Sequence, residues 1–148
     1  MAEFVLVPGA WHGGWCWKRL TPLLRAAGHA VYPLTLTGLG ERAHLASPEV
    51  GLETHVRDVT SVLECEDIRE AVLVGHSYAG LVVSGVAGRL PKRVRHLLIL
   101  DGFLPAGGES LVDIKGAKFL ECAQARAERG GCPYIVPPPE DDDFGVTN

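Results

Sequence analysis

The chain has 148 residues, 47% of them apolar, and a formal net charge of −4. That is enough apolar material for one domain with a real core, and an acidic balance without a basic patch excludes nucleic acid as an expected partner. No apolar run approaches a membrane span, so no membrane partner is expected either.

The start, Met1 to Val7, has no cationic stretch before its apolar residues, so Phe4–Val7 reads as a first strand rather than part of a signal peptide. A glycine-rich loop follows, Pro8–Trp17. The spacing of Leu20, Leu23 and Leu24 predicts a helix over Trp17–Ala27, ended by Gly28. Ala30–Leu34 is a second strand, and Thr35 to about Gly51 a long loop. Val56, Val59, Val62 and Leu63 recur at helical spacing within a helix of about Glu53–Glu66. Ala71–Val74 is a third strand, followed by a helix from Tyr78 to about Leu90 that Pro91 ends. Val94–Leu100 is a fourth strand, and a helix near Ser110–Arg129 carries Leu111, Ile114 and Leu120 on its apolar side. The tail Pro137–Asp143 reads as a linker. The division expected is a core over 1–106 and the start of a lid with a linker tail over 107–148.

Strands alternating with helices imply an α/β fold with a doubly wound, mostly parallel sheet and right-handed crossovers. Placing strand one between strands two and three brings the loop after strand one to the turn after strand three. That is where the winding reverses and where such sheets bind ligands. The cysteines Cys16, Cys65, Cys122 and Cys132 show no C-x-x-C pair and no Cys/His cluster at zinc spacing. No metal is expected, and the thiols read as reduced ones in a cytoplasmic protein.

The most informative stretch is Ala71-Val-Leu-Val-Gly-His-Ser-Tyr-Ala-Gly80. Gly75 and Ala79 flank Ser77 at two residues on each side. A strand-to-helix turn this tight admits only small residues there and pushes the central hydroxyl out at the top of the sheet. Ser77 is therefore the candidate nucleophile. Acyl transfer also needs two donors for the oxyanion: the N–H after the nucleophile, Tyr78, and one from the loop after strand one, Ala10. Gly9, Gly13 and Gly14 let that loop approach closely. A nucleotide loop fits poorly, because no G-x-G-x-x-G occurs and no Lys-Ser/Thr follows the glycines. Trp11 is expected in the substrate pocket, and Trp15 and Trp17 in the core. His12 either hydrogen-bonds substrate or is a structural loop histidine.

With the segments Val5-Leu-Val-Pro-Gly-Ala-Trp-His-Gly-Gly-Trp-Cys-Trp17, Leu34-Thr-Leu-Thr-Gly-Leu-Gly-Glu-Arg42, Val74-Gly-His-Ser-Tyr-Ala-Gly80 and Leu100-Asp-Gly-Phe-Leu-Pro105, the chain resembles the α/β-hydrolase branch of EstC-like esterases. Plant methylesterases and hydroxynitrile lyases belong to the same branch. The resemblance implies a serine hydrolase of carboxylic esters that needs no cofactor, with Ser77 as nucleophile, Ala10 and Tyr78 as oxyanion donors, and a small-molecule ester as partner. Pro8 stands where many relatives carry His, and Ala79 where Gly is commoner. The triad order of this fold is Ser, then Asp/Glu, then His. The only histidine after Ser77 is His96, at the start of strand four and the wrong end of the sheet. His76 is expected to pack sideways, and nothing places His29, His44 or His55 at the turn. Asp101 is either the acid or a cap on its loop. The chain thus reads as the amino-terminal portion of a hydrolase with an incomplete triad, and its fourth strand as an edge open to self-association. The alternatives are a hydroxynitrile lyase, disfavoured because no lysine can be placed at the site, and a non-catalytic ligand-binding module.

Overall fold

The computed structural model describes residues 1–139. Four strands, β1 (Glu3–Val7), β2 (Ala30–Pro33), β3 (Ala71–His76) and β4 (Val94–Leu100), pair in parallel in the order β2-β1-β3-β4. The assumed central position of β1 is therefore the observed one. Five helices connect and flank the strands: α1 (Leu20–Ala26), α2 (Leu52–Cys65), α3 (Ala79–Arg89), α4 (Leu111–Lys115) and α5 (Ala117–Arg129).

Strand alternation sorts the core onto two faces. Val5 and Val7 of β1 and Leu73 of β3 face α2 and α3, where Val56, Val59, Leu63, Val82, Val83 and Val86 close the larger cluster. Leu6 and Val74 point the other way, onto Val31, Trp17 and the partly buried Leu20 and Leu24 of α1. Burial on both faces explains why β1 and β3 are continuous apolar runs rather than alternating ones.

Several boundaries differ from the sequence expectation. A 3₁₀ turn, Gly14–Trp17, precedes α1, which starts only at Leu20. Leu20 and Leu24 face the sheet, whereas Leu23, expected beside them, is 67% exposed. β3 runs on to His76 because its partners β1 and β4 continue, pairing Val7 with Gly75 and Leu100 with His76. The long loop contains a 3₁₀ stretch, Gly40–Leu45. The single helix expected over 110–129 is broken at Gly116, whose φ of 84° no helix accommodates. Ile114 and Leu120 stay exposed, and only Ala127 of α5 is buried. Pro137–Pro139 have no regular structure, and the Pro137 carbonyl accepts from Arg126 of α5 at 3.0 Å, while residues 140–143 of the expected linker lie outside the described residues. Among the described residues no helix is long and apolar enough to cross a membrane.

Candidate functional site

β3 passes into α3 through Ser77 and Tyr78 alone. Ser77 lies at φ 53°, a left-handed conformation that costs an L-residue roughly 1–2 kcal/mol. Three backbone hydrogen bonds hold it there. The Ser77 N–H donates to the Leu100 carbonyl at 3.1 Å, and the Ser77 carbonyl accepts from the Gly80 N–H at 3.0 Å and the Phe103 N–H at 3.2 Å. The turn after β4 thus clamps the turn after β3, and its own Asp101 is also left-handed, at φ 40°.

Small residues permit the clamp. A Cβ on Gly75 would lie 2.7 Å from Val83 Cγ2 and 2.8 Å from the Ala79 carbonyl oxygen. A Cβ on Gly80 would run into the Phe103 carbonyl oxygen, and one on Gly102 would come within 2.9 Å of the Ser77 carbonyl oxygen. Sequence reasoning singled out Gly75. It did not single out Gly80 or Gly102, whose neighbours belong to the opposite turn.

The glycine-rich loop crosses the same point. A Cβ on Gly9 would sit 3.0 Å from both Ser77 Cβ and His76 Nδ1, which brings Ala10 to the elbow. Ala10's carbonyl is occupied: His12 Nδ1 lies 2.8 Å away, and since a carbonyl only accepts, that nitrogen carries the proton and donates. Among the described residues, neither the Ala10 nor the Tyr78 N–H donates to a backbone carbonyl. His12 therefore has a structural bond, and its ring packs beside Trp15 at 5.5 Å between centroids.

The three tryptophans part company. Trp17 is buried on the sheet as expected, with its ring edge-to-face to His76 at 6.5 Å. His76 does pack sideways. Burial first, and the neighbouring His12 second, hold its imidazole below the ordinary value, against the opposing pull of Asp101. Trp15 is not in the core: it is 51% exposed, because the threefold period of the 3₁₀ turn puts residues two apart on different sides. Trp11 adopts φ 65° and donates its indole N–H to the Val136 carbonyl at 2.7 Å, so the segment after α5 returns over the loop.

Two residues that sequence reasoning left out contact the residues framing the elbow. His55 of α2 is buried, with Nδ1 2.9 Å from the Tyr78 hydroxyl. Lys115, exposed on α4, lies over the outer turn, with its Nζ 5.1 Å from the ring centroid of Phe103, the residue whose backbone N–H bonds the Ser77 carbonyl. No short-range pattern announces either. Among the described residues no histidine hydrogen-bonds the Ser77 hydroxyl. His96 lines a cleft with Met1, His29 and Glu70, residues at the amino ends of the strands, opposite the elbow.

The sequence profile described as "Alpha/beta hydrolase family" matches residues 4–144. The chain is 53% identical over 112 residues to a carbendazim hydrolyzing esterase of Nocardioides sp. (strain SG-4G), which covers 76% of this chain and 46% of that one. It is 32% identical over 104 residues to an alpha-hydroxynitrile lyase of Arabidopsis thaliana, covering 70% of this chain and 40% of that one. Among solved structures, an extracellular alpha/beta-hydrolase from a Paenibacillus species superposes with a TM-score of 0.82 at 28% identity, over 93% of this chain and 56% of that one. The chain therefore spans about half the length of the relatives it matches.

Proposed function

The chain belongs to the alpha/beta hydrolase family, and from that premise we propose that it carries the nucleophile half of a serine esterase acting on small carboxylic esters. The supporting observation is Ser77, held left-handed by the β4 turn at the carboxyl end of the central strands, beneath a glycine loop. In this reading the Ser77 hydroxyl oxygen attacks the ester carbonyl carbon. The negative charge that develops on the carbonyl oxygen is received by the Ala10 and Tyr78 N–H groups, which cost no reorganisation when the charge forms. Collapse breaks the ester C–O bond, and the proton given up by Ser77 ends on the departing oxygen as the alcohol. Water then hydrolyses the acyl-serine to the acid and returns a proton to Ser77. Trp11 lines the acyl or alcohol pocket beside His12, and Asp101 is either the acid or a cap on its loop. No cofactor is needed, and the cytoplasm is the compartment that the four free cysteines support.

Proton transfer is the weak link. A serine hydroxyl without a base is a poor nucleophile near neutral pH, and no described histidine reaches Ser77. The 148-residue chain on its own should therefore retain only the part supplied by the oxyanion donors and binding, about 10³–10⁴ over water.

A fluorophosphonate probe followed by peptide mass spectrometry tests the assignment. The adduct is expected on Ser77 and absent from Ser77→Ala. Labelling undiminished in Ser77→Ala sinks it, and ligand binding without any adduct favours a non-catalytic module. Carbendazim and short p-nitrophenyl esters form the first substrate panel. The 32% identity to an alpha-hydroxynitrile lyase keeps that activity as a second reading, and Ser77-dependent cleavage of a cyanohydrin without ester turnover is the discriminating result.

A further inference from the structure

Behind the elbow, three parts of the chain meet on a histidine that the ester chemistry does not use. His55 has both ring nitrogens engaged: Nε2 lies 2.9 Å from the Thr37 carbonyl oxygen and Nδ1 2.9 Å from the Tyr78 hydroxyl. The carbonyl can only accept, so Nε2 carries the proton. In the neutral ring Nδ1 is then the acceptor and the Tyr78 hydroxyl the donor. Thr37 is fixed in turn by Asp58, which accepts from the Thr37 N–H at 2.6 Å and from its hydroxyl at 2.9 Å. His55 and Asp58 are three residues apart on α2 and so share a face. The path runs from a carboxylate through a threonine and an imidazole to a phenol, and it leaves no polar atom of His55 unpaired.

Its far end is the residue after the nucleophile. Tyr78 is the N-cap of α3 and makes no side-chain cap bond of its own. Two torsions separate its ring from its backbone, and the ring is pinned both by the hydroxyl bond and by an edge-to-face contact with His55, with centroids 5.7 Å apart at 81°. We propose that His55 is a positioning residue: by anchoring the Tyr78 phenol it keeps the Tyr78 N–H aimed at the oxyanion beside Ser77. The proposal rests on the reading of Tyr78 as an oxyanion donor. His55 does not touch substrate and acts through Tyr78 alone.

The test uses the whole 148-residue chain and two separable readouts. Nitrogen-15 NMR at pH 8 is expected to show His55 as the Nε2–H tautomer. Tyr78→Phe, which deletes one oxygen, is expected to shift both His55 Nδ1 and the amide of residue 78, leaving amides of β1 in place. Fluorophosphonate labelling of Ser77 at saturating probe is expected to slow about tenfold in Tyr78→Phe and His55→Leu with probe affinity unchanged, short of the 10²–10³ that losing an oxyanion donor costs. His55→Gln keeps an acceptor for Tyr78 and a donor for Thr37 and should recover most of that rate. A purely structural tie would lower the thermal midpoint and the labelled fraction, but not the rate of the folded fraction. A proton on His55 Nδ1 overturns the proposal, as does an unmoved residue 78 amide in Tyr78→Phe or full-speed labelling in folded His55→Leu. If His55→Leu does not fold, Tyr78→Phe decides. If the parent takes no label at all, the esterase reading fails, and the NMR pair still upholds or overturns the anchoring of Tyr78.

Discussion

Tyr78 shows how much a single residue at the elbow carries. Burial pushes its phenol from the ordinary 10.0 up to about 12. The folded chain thus holds the proton more tightly than the unfolded one. The associated stability is complete below pH 10, and it is lost as the pH rises toward 12, where the unfolded tyrosine ionises first. At about 1.4 kcal/mol per pH unit the loss reaches roughly 2–3 kcal/mol. Urea unfolding from pH 9 to 12 should show a steeper decline for the parent than for Tyr78→Phe, and parallel declines would contradict the burial of the phenol. Gly75 carries a different load. Gly75→Val puts branched carbon where Val83 and the Ala79 carbonyl already stand, and it should cost about 3 kcal/mol or more. A thermal midpoint equal to the parent's would remove the elbow. Ser77 and Gly75 were legible in the sequence because the constraint on them is local, a strand turning into a helix within two residues. His55 was not: its partner Tyr78 is 23 positions away, and only the packing of α2 on α3 brings them together.

Among the elements, α3 contains its own control. Gly80 and Gly88 lie on the same helix, yet a Cβ on Gly80 meets the Phe103 backbone while one on Gly88 meets nothing within 4 Å. Gly80→Ala is expected to destabilise by about 2 kcal/mol through displacement of the β4 turn. Gly88→Ala should stabilise by about 0.5 kcal/mol, the ordinary preference for alanine in a helix. Chemical denaturation of the two variants checks both signs. A second contrast tests which helical faces are buried. Leu63→Ala, on the fully buried side of α2, should cost about 2–5 kcal/mol, whereas Leu23→Ala on the outer side of α1 should stay within about 0.5 kcal/mol. Leu23 shows where periodicity runs out. An apolar triplet at helical spacing marks a stripe, but the width of the stripe that is covered depends on what packs against it. The strands were legible because β1 and β3 are buried on both faces and need unbroken apolar runs. The break at Gly116 and the 3₁₀ turn before α1 were not, because each depends on a backbone conformation that composition alone does not demand.

At the scale of the molecule the sheet is asymmetric. Among the described residues β2 pairs only with β1 and β4 only with β3, but the β2 edge is half-buried or buried throughout whereas β4 is mostly exposed. Leu97, Leu98 and Leu100 of β4 are 38%, 45% and 36% exposed, so an unpaired backbone edge coincides with apolar side chains. Such edges add strands from other chains unless charge blunts them. We expect the 148-residue chain to self-associate through β4, and light scattering over a concentration series should show a mass that rises with concentration. Leu98→Lys places a charge on that edge and should return the mass toward the monomer. A parent that stays monomeric at all concentrations rejects the idea. Ester turnover belongs to the same experiment, because association through β4 leaves the elbow at the end of the neighbouring strand without a base. Turnover of a short p-nitrophenyl ester should therefore be slow in both oligomer and monomer, and lost further in Ser77→Ala. A monodisperse monomer with vigorous, Ser77-dependent turnover would refute both halves at once. It would require one of the six histidines to reach the Ser77 hydroxyl. His12, already in the oxyanion loop with its Nδ1 tied to the Ala10 carbonyl, would be the first to substitute, since only its Nε2 is left to accept a proton.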